Sequence, residues 1–150
     1  MKAVVQRVTK ASVTIENKIH IEISNGLLIL LGITHNDSQE DIEWLVKKIT
    51  NLRIFNDDND IMNLSLKDIG GEALIISQFT LMASTKKGNR PSYIGAAKPE
   101  IAIPLYEQFI SAFEKEIDKK VSTGIFGADM KVNLLNDGPV TLILDSKNKK

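Results

Sequence analysis

The opening of the chain alternates apolar and polar residues with a period of two, a pattern that a half-buried β-sheet accepts and a helix does not. Val4, Val13, Ile15, Ile19, Ile21 and Ile23 carry the alternation. It predicts strands over Ala3–Val8, Ala11–Glu16 and Lys18–Ile23, with reversals near Asn17 and at Asn25-Gly26. Asn-Gly is the strongest short hairpin signal, because both central residues of a type I′ turn need a positive φ. The mostly apolar run Leu27–Thr34 then reads as a central strand buried on both faces.

Further along, Asp37 or Ser38 is placed to cap a helix, with Glu40 and Asp41 in its first turn and Ile42, Leu45, Val46, Ile49 and Leu52 on one face. Trp44 falls off that stripe, at an edge or interface. The acids of Asn56–Asp60 are spaced like part of a calcium loop, but the required glycine and distal glutamate are missing, so a solvated turn is expected. Glu72–Phe79 reads as a core strand, and Ser84–Lys98 as a long polar loop. A second helix over Pro99–Lys119 would bury Ile103, Tyr106, Ile110 and Phe113, with Pro104 near enough to its start to be tolerated. Strands near Met130–Leu135 and Val140–Leu144 are separated by an expected turn at Asn136-Asp137-Gly138-Pro139, and residues 146–150 form a basic tail expected to fray.

Strands outnumber helices, and no repeat or linker divides the 150 residues. The expectation is a single α+β domain spanning 1–150, with a strongly curved, barrel-like, mostly antiparallel sheet and two helices packed outside it. There are no cysteines, which removes disulfides, thiolate metal sites and cysteine nucleophiles together. The longest apolar run, Leu27–Leu31, is far short of the ~20 residues of a membrane span. No signal-peptide pattern follows the N-terminus, so a cytoplasmic location is expected. Basic and acidic residues balance at 19 each, which rules out a strong long-range pull on nucleic acid and leaves only local, salt-sensitive contact.

The familiar nucleophile, phosphate-loop, dinucleotide and zinc-protease motifs are absent. His20 and His35 lack an evident serine or carboxylate partner, and neither a metal nor a cofactor is expected. Two segments stand out instead. Ser77-Gln78-Phe79-Thr80-Leu81 crowds polar and aromatic groups onto the end of an apolar strand. These residues suit either a hydrogen-bonded strand end or a pocket wall. Gly138-Pro139 suits either a plain turn or, since X-Pro is the one bond where cis is cheap, a rigid backbone surface facing a ligand.

Together these segments resemble the SQFTL-type and NxGP[VF]T-type signatures of the D-aminoacyl-tRNA deacylase family. The resemblance extends to Val5-Gln6-Arg7-Val8, Leu28–Gly32, Gly88-Asn89-Arg90-Pro91-Ser92 and Gly124–Met130. Tyr93-Ile94-Gly95 departs from the pattern, which has a Phe and a small polar residue there. The resemblance implies a homodimeric ester hydrolase that frees D-amino acids from charged tRNA without a cofactor. It implies a catalytic region at Ser77, Gln78, Phe79 and Thr80. It also implies a cis Gly138-Pro139 pair that completes the other subunit's site and excludes L side chains. Phe126 and Met130 would pack on the terminal adenosine, and Lys86, Lys87 and Arg90 would meet acceptor-end phosphates. From the residues alone, Phe126 and Met130 serve equally as core, and the basic loop equally as a solvated surface. A nucleic-acid-binding module, a small-molecule esterase and a structural dimer are the competing readings.

Overall fold

The computed structural model describes residues 1–150. Its organising element is β1 (Lys2–Ile15), a single strand where the sequence suggested two. Thr9-Lys10, the expected connection, contains none of the residues that turn a chain, and here the strand passes through with one register shift, between Val8 and Lys10. Its pairing partner on one edge changes at that point: residues 2–8 pair with β3 (Gly26–Gly32) and residues 11–15 with β2 (Ile19–Ile23), both antiparallel. Along its other edge β1 pairs with β8 (Met130–Asp145) over its whole length.

β8 also joins two expected strands into one. Asn136–Pro139 is therefore no reversal, because both halves of β8 run antiparallel to the same strand. Beyond β3 the sheet continues through β6 (Glu72–Ser77) and the short β7 (Ser122–Thr123). Both of these last pairings are parallel, so the sheet is mixed, its antiparallel part gathered around β1.

The centre of the sheet, β3 and β6, is buried on both sides and separates two apolar clusters. On the outer side, Ala3, Val5, Leu27, Ile29, Leu31, Ala73 and Ile75 meet α1 (Gln39–Asn51) and α3 (Pro99–Ile117). On the inner side, Val8, Ala11, Val13, Ile15, Ile23, Leu28, Leu74 and Ile76 fill the interior of a nearly closed barrel. This explains why β3 and β6 read as unbroken apolar runs: alternate residues supply alternate cores.

The expected stripe of α1 is correct through Ile49, with Leu52 only partly covered. In α3 the buried face is Ala102, Tyr106, Phe109 and Phe113, and Ile103 is exposed. The helix runs through Pro104, whose ring lies on the solvent side. A third helix, the single turn α2 (Leu66–Ile69), was not expected; it is capped by Ser65, whose hydroxyl accepts from the Asp68 N–H at 3.1 Å. The polar segment 56–60 is the tip of a hairpin between β4 (Phe55–Asn56) and β5 (Met62–Leu64). There the Asp57 carboxylate accepts from the N–H groups of Asn59 and Ile61, so the acids serve the turn.

The C-terminal tail does not begin to fray at residue 146. Ser146 is buried, donates to Asp41 Oδ1 at 2.6 Å and accepts from the Met1 ammonium at 2.9 Å. The ammonium is also held by Asp37, and Lys147 reaches Asp41 Oδ2 at 2.8 Å. Desolvation would raise the pKa of Asp41. Hydrogen bonds from Lys147, Ser146 and the Ser38 backbone outweigh it and hold the carboxyl well below its ordinary value.

A carboxylate with a depressed folded pKa contributes stability that is complete above the unfolded value of about 3.9 and lost as pH falls through the folded one. The melting temperatures of wild type and Asp41→Asn should therefore be furthest apart at pH 6–7 and converge below about pH 4. A gap that stays constant to pH 2 would show that the ionised carboxylate is not what stabilises this corner.

Candidate functional site: a neutral cleft at the end of β6

β6 delivers Ser77 to the rim of the barrel, where the Gln78 N–H donates to Leu31 O at 2.7 Å and ends the parallel pairing. The chain then tightens into a 3-10 turn over Phe79–Met82, closed by Leu81 N–H to Gln78 O at 3.2 Å. The first N–H groups of such a turn have no carbonyl behind them to bond. The Gln78 side-chain amide donates to Thr80 Oγ1. No imidazole or carboxylate is hydrogen-bonded to Ser77 or Thr80: His20 lies between Thr14 and Glu22, and His35 meets Ile94 O.

Opposite this turn, the segment 124–132 closes a cleft of about 350 Å³. Ser77, Gln78 and Phe79 line one wall, and Phe126, Met130 and Val132 the other. The ring of Phe126 is tilted against Tyr106, 6.2 Å between centroids. Tyr106 is itself fixed by its hydroxyl donating to Ile75 O at 2.8 Å, so a core helix sets this wall. Gly124 gives Met130 its room, since a Cβ there would stand 2.4 Å from the thioether sulfur. The one ionisable group lining the cleft, Asp129, is paired with Lys131 at 2.9 Å. The site is thus nearly neutral, with hydrogen-bonding groups on one side and apolar surface on the other.

The remaining expected residues lie outside this lining. Thr80 is the next residue along the turn and exposed. Lys86, Lys87 and Arg90 occupy the exposed tip of a loop pinched by the reciprocal Ser84–Ser92 backbone hydrogen bonds, 2.8 and 2.9 Å. That loop returns to the cleft through Tyr93, whose ring meets Phe79 edge-on at 5.1 Å. Tyr93, aromatic like the Phe of the pattern, thus sets a second ring beside Phe79.

Gly138 and Pro139, joined by a cis peptide bond, stand exposed on β8. In the ladder, Gln6 faces Thr141 and Val8 faces Asn136, so four residues of β8 (137–140) stand opposite Arg7 alone. The excess is extruded as a bulge. Asn136 spans it, accepting from Val140 N–H at 2.8 Å and donating to Thr141 Oγ1 at 2.9 Å.

Arg7 fills the space beneath. Its buried guanidinium donates to Asp137 O at 2.9 Å, Ile54 O at 2.7 Å and Asn56 Oδ1 at 3.0 Å. Gly138 has φ +136°, and a Cβ there would come within 2.8 Å of Val140 Cγ2 and 3.0 Å of Arg7 Nη2, so only glycine fits. Sequence reasoning missed the role of Arg7. The available signal was its position: after Ala3 and Val5 it is the next residue of β1 on the buried, helix-facing side, where a charge needs buried partners.

The profile of the family described as D-Tyr-tRNA(Tyr) deacylase matches residues 4–145. The chain belongs to that family. Proteins named D-aminoacyl-tRNA deacylase from Flavobacterium psychrophilum and Cytophaga hutchinsonii are 68% and 64% identical over 150 residues, covering all of both chains. Among solved structures, one described as a c-Myc DNA unwinding element binding protein is 42% identical with a TM-score of 0.89, over 97% of this chain and 98% of its own. A probable eukaryotic D-amino acid tRNA deacylase shares the fold, with a TM-score of 0.82 at 15% identity over 95% of this chain and 97% of its own.

Within this deacylase-family fold, Arg7→Met should cost about 2–4 kcal/mol, because it leaves the Ile54 and Asp137 carbonyls without their charged donor. Urea unfolding measures this; a loss below about 0.5 kcal/mol would mean that the bulge does not depend on the guanidinium.

Proposed function

We propose that this protein hydrolyses the ester of D-aminoacyl-tRNA, releasing a free D-amino acid and tRNA, and spares L-aminoacyl esters. The observation that carries this reading is the neutral Ser77-Gln78-Phe79 cleft in a chain of this family. An aminoacyl ester is already labile, so oriented water and hydrogen bonds to the developing oxyanion supply much of the rate without an activated nucleophile. Water adds to the carbonyl carbon, the bond to the ribose oxygen breaks, and that oxygen takes up the proton. The N–H groups that open the Phe79–Met82 turn are the oxyanion donors in this scheme. Thr80 orients substrate or water, and the neighbouring ribose hydroxyl assists. Phe126 and Met130 pack on the terminal adenine, while Lys86, Lys87 and Arg90 meet phosphates of the acceptor end.

The functional unit in this proposal is a homodimer. β8 pairs with β1 alone, and it leaves Leu135 and Ile143 exposed at 63% and 75%. A long open edge with apolar outward residues is a surface that proteins normally cover. Gly138 and Pro139 do not line the cleft of their own chain, so a second copy is their natural recipient. Their carbonyls would hold the substrate's amino group and leave an L side chain no room. Glycine has no side chain to exclude, so glycyl-tRNA should be cleaved as well. The proposed setting is the cytoplasm, where charged tRNA is found.

Deacylation of matched D-tyrosyl-tRNA and L-tyrosyl-tRNA tests the reading. The D ester should be lost quickly and the L ester survive. Equal rates would remove the Gly138-Pro139 filter, and no reaction with either would favour a nucleic-acid-binding module. For Thr80→Ala, a positioning role predicts a loss of up to ~10²-fold. A loss near the ~10⁶-fold seen when a nucleophile is removed, with binding intact, would make Thr80 the covalent residue.

A further inference from the structure

A second concavity, of about 570 Å³, lies where the C-terminal half of α1 meets α2 and the end of α3. Its wall carries Lys47, Lys48, Arg53 and Lys67 against a single carboxylate, Glu116. That carboxylate is already committed to Lys67 at 2.6 Å. Lys47, Lys48 and Arg53 are exposed, and neither lysine has a carboxylate partner. The floor includes Trp44, the only tryptophan in the chain. Its ring faces two ammonium groups, Lys48 Nζ of the wall at 5.9 Å and one further cation, Lys149 Nζ, at 5.0 Å from the centroid. In a chain whose charges cancel at 19 each, this is a local excess of cations around an aromatic floor.

The position of the groove suggests its ligand. α2 feeds directly into the start of β6 through Gly70 and Gly71, and Lys119 of the segment after α3 donates to Gly70 O at 2.8 Å. The cleft at Ser77 lies at the other end of the same strand, on the order of 20 Å away for a strand of this length. A ligand touching both must be a long polyanion. A nucleic-acid duplex presents on the order of a dozen phosphates over that distance, at one charge per ~1.7 Å.

We infer that the groove formed by Lys47, Lys48, Arg53 and Trp44 is a second RNA-backbone contact, which holds the body of the tRNA while its aminoacyl end enters the cleft. This rests on the proposed deacylase activity. Because net charge supplies no long-range attraction, affinity for the whole substrate has to come from such local patches. The lysines take phosphates as point charges, and the partly covered indole lies against sugar or an unpaired base.

The test compares two substrates and two variants. Lys47→Gln/Lys48→Gln removes exposed groove charges, and Lys18→Gln/Lys115→Gln removes the same charge from exposed sites elsewhere. On full-length D-tyrosyl-tRNA the groove variant should lose about tenfold in kcat/KM at moderate salt, chiefly through KM. Its log–log salt dependence should be shallower by about 1.5, as expected for two lost phosphate contacts. On a D-tyrosyl ester of the terminal trinucleotide, too short to reach the groove, it should match wild type. The control variant should match wild type on both substrates.

Equal loss on the short and long substrates, or none on the long one, overturns the groove. If wild type cleaves neither substrate, the deacylase reading fails by itself, and the groove is then judged by binding. Uncharged tRNA should quench Trp44 fluorescence in wild type and do so only at roughly tenfold higher concentration in the groove variant. Identical titrations would exclude the contact.

Discussion

The ladder between β1 and β8 is the constraint on which the rest of the molecule depends. It joins the beginning of the chain to its end, running from Lys2 opposite Asp145 to Ile15 opposite Met130. Because β1 also pairs with β3 and then β2 along its other edge, it is hydrogen-bonded on both sides along most of its length. The two apolar clusters lie on opposite faces of this shared sheet. Near its middle the ladder is interrupted, with four residues of β8 opposing one of β1. Most bulges insert a single residue. This larger excess persists because Asn136 closes it from above and Arg7 supports it from below. The exposed Gly138-Pro139 segment is therefore carried on the most heavily bonded element of the fold, and not on a free loop.

That rigidity suits a site with little intrinsic reactivity. The cleft contains no base poised on a hydroxyl, and its single ionisable lining group is paired. Whatever it accelerates must depend on placement, and placement depends on how stiffly each wall is held. One wall is the end of β6, anchored by the Gln78 N–H bond to β3. The other is braced by Tyr106, a buried residue of α3 bonded to the β6 carbonyl at Ile75. Both walls thus refer back to the same strand, so their separation is set by core packing.

Much of this was legible in the sequence, because burial leaves a period. The strands around β1, β3 and β6 and the α1 stripe followed from alternation, apolar runs or helical spacing, and the crowded strand end at Ser77–Thr80 from its residue types, whereas the two-residue β7 was not anticipated. One misreading has a plain physical origin: a residue that can turn a chain is also a residue that can bulge it. Asn136-Asp137-Gly138-Pro139 has turn chemistry, yet only the register against β1 distinguishes a reversal from an extrusion, and register is a tertiary property. Thr9-Lys10 is the converse, an exposed dipeptide without turn residues at which the strand continues. Ser146 and Lys147 looked like tail because their partners, Asp41 and the Met1 ammonium, lie more than a hundred residues away in sequence.

The same reasoning explains why the family resemblance located the cleft more readily than the groove. The Ser77–Leu81 and Asn136–Thr141 segments are contiguous, so each can be recognised as a word in the sequence. The groove takes Trp44, Lys47 and Lys48 from one helix, Arg53 from the following connection and Lys67 from a single-turn helix that sequence reasoning did not anticipate. Each of those lysines taken alone is an ordinary solvated residue, and the balanced composition gives no hint of an uneven distribution. Only the packing of α1 against α3 and α2 gathers them around one aromatic ring. A charge pattern assembled by tertiary structure has no linear signature. A neutral net charge is therefore weak evidence against nucleic-acid contact once the fold is known, because it constrains the sum of the charges and not their placement.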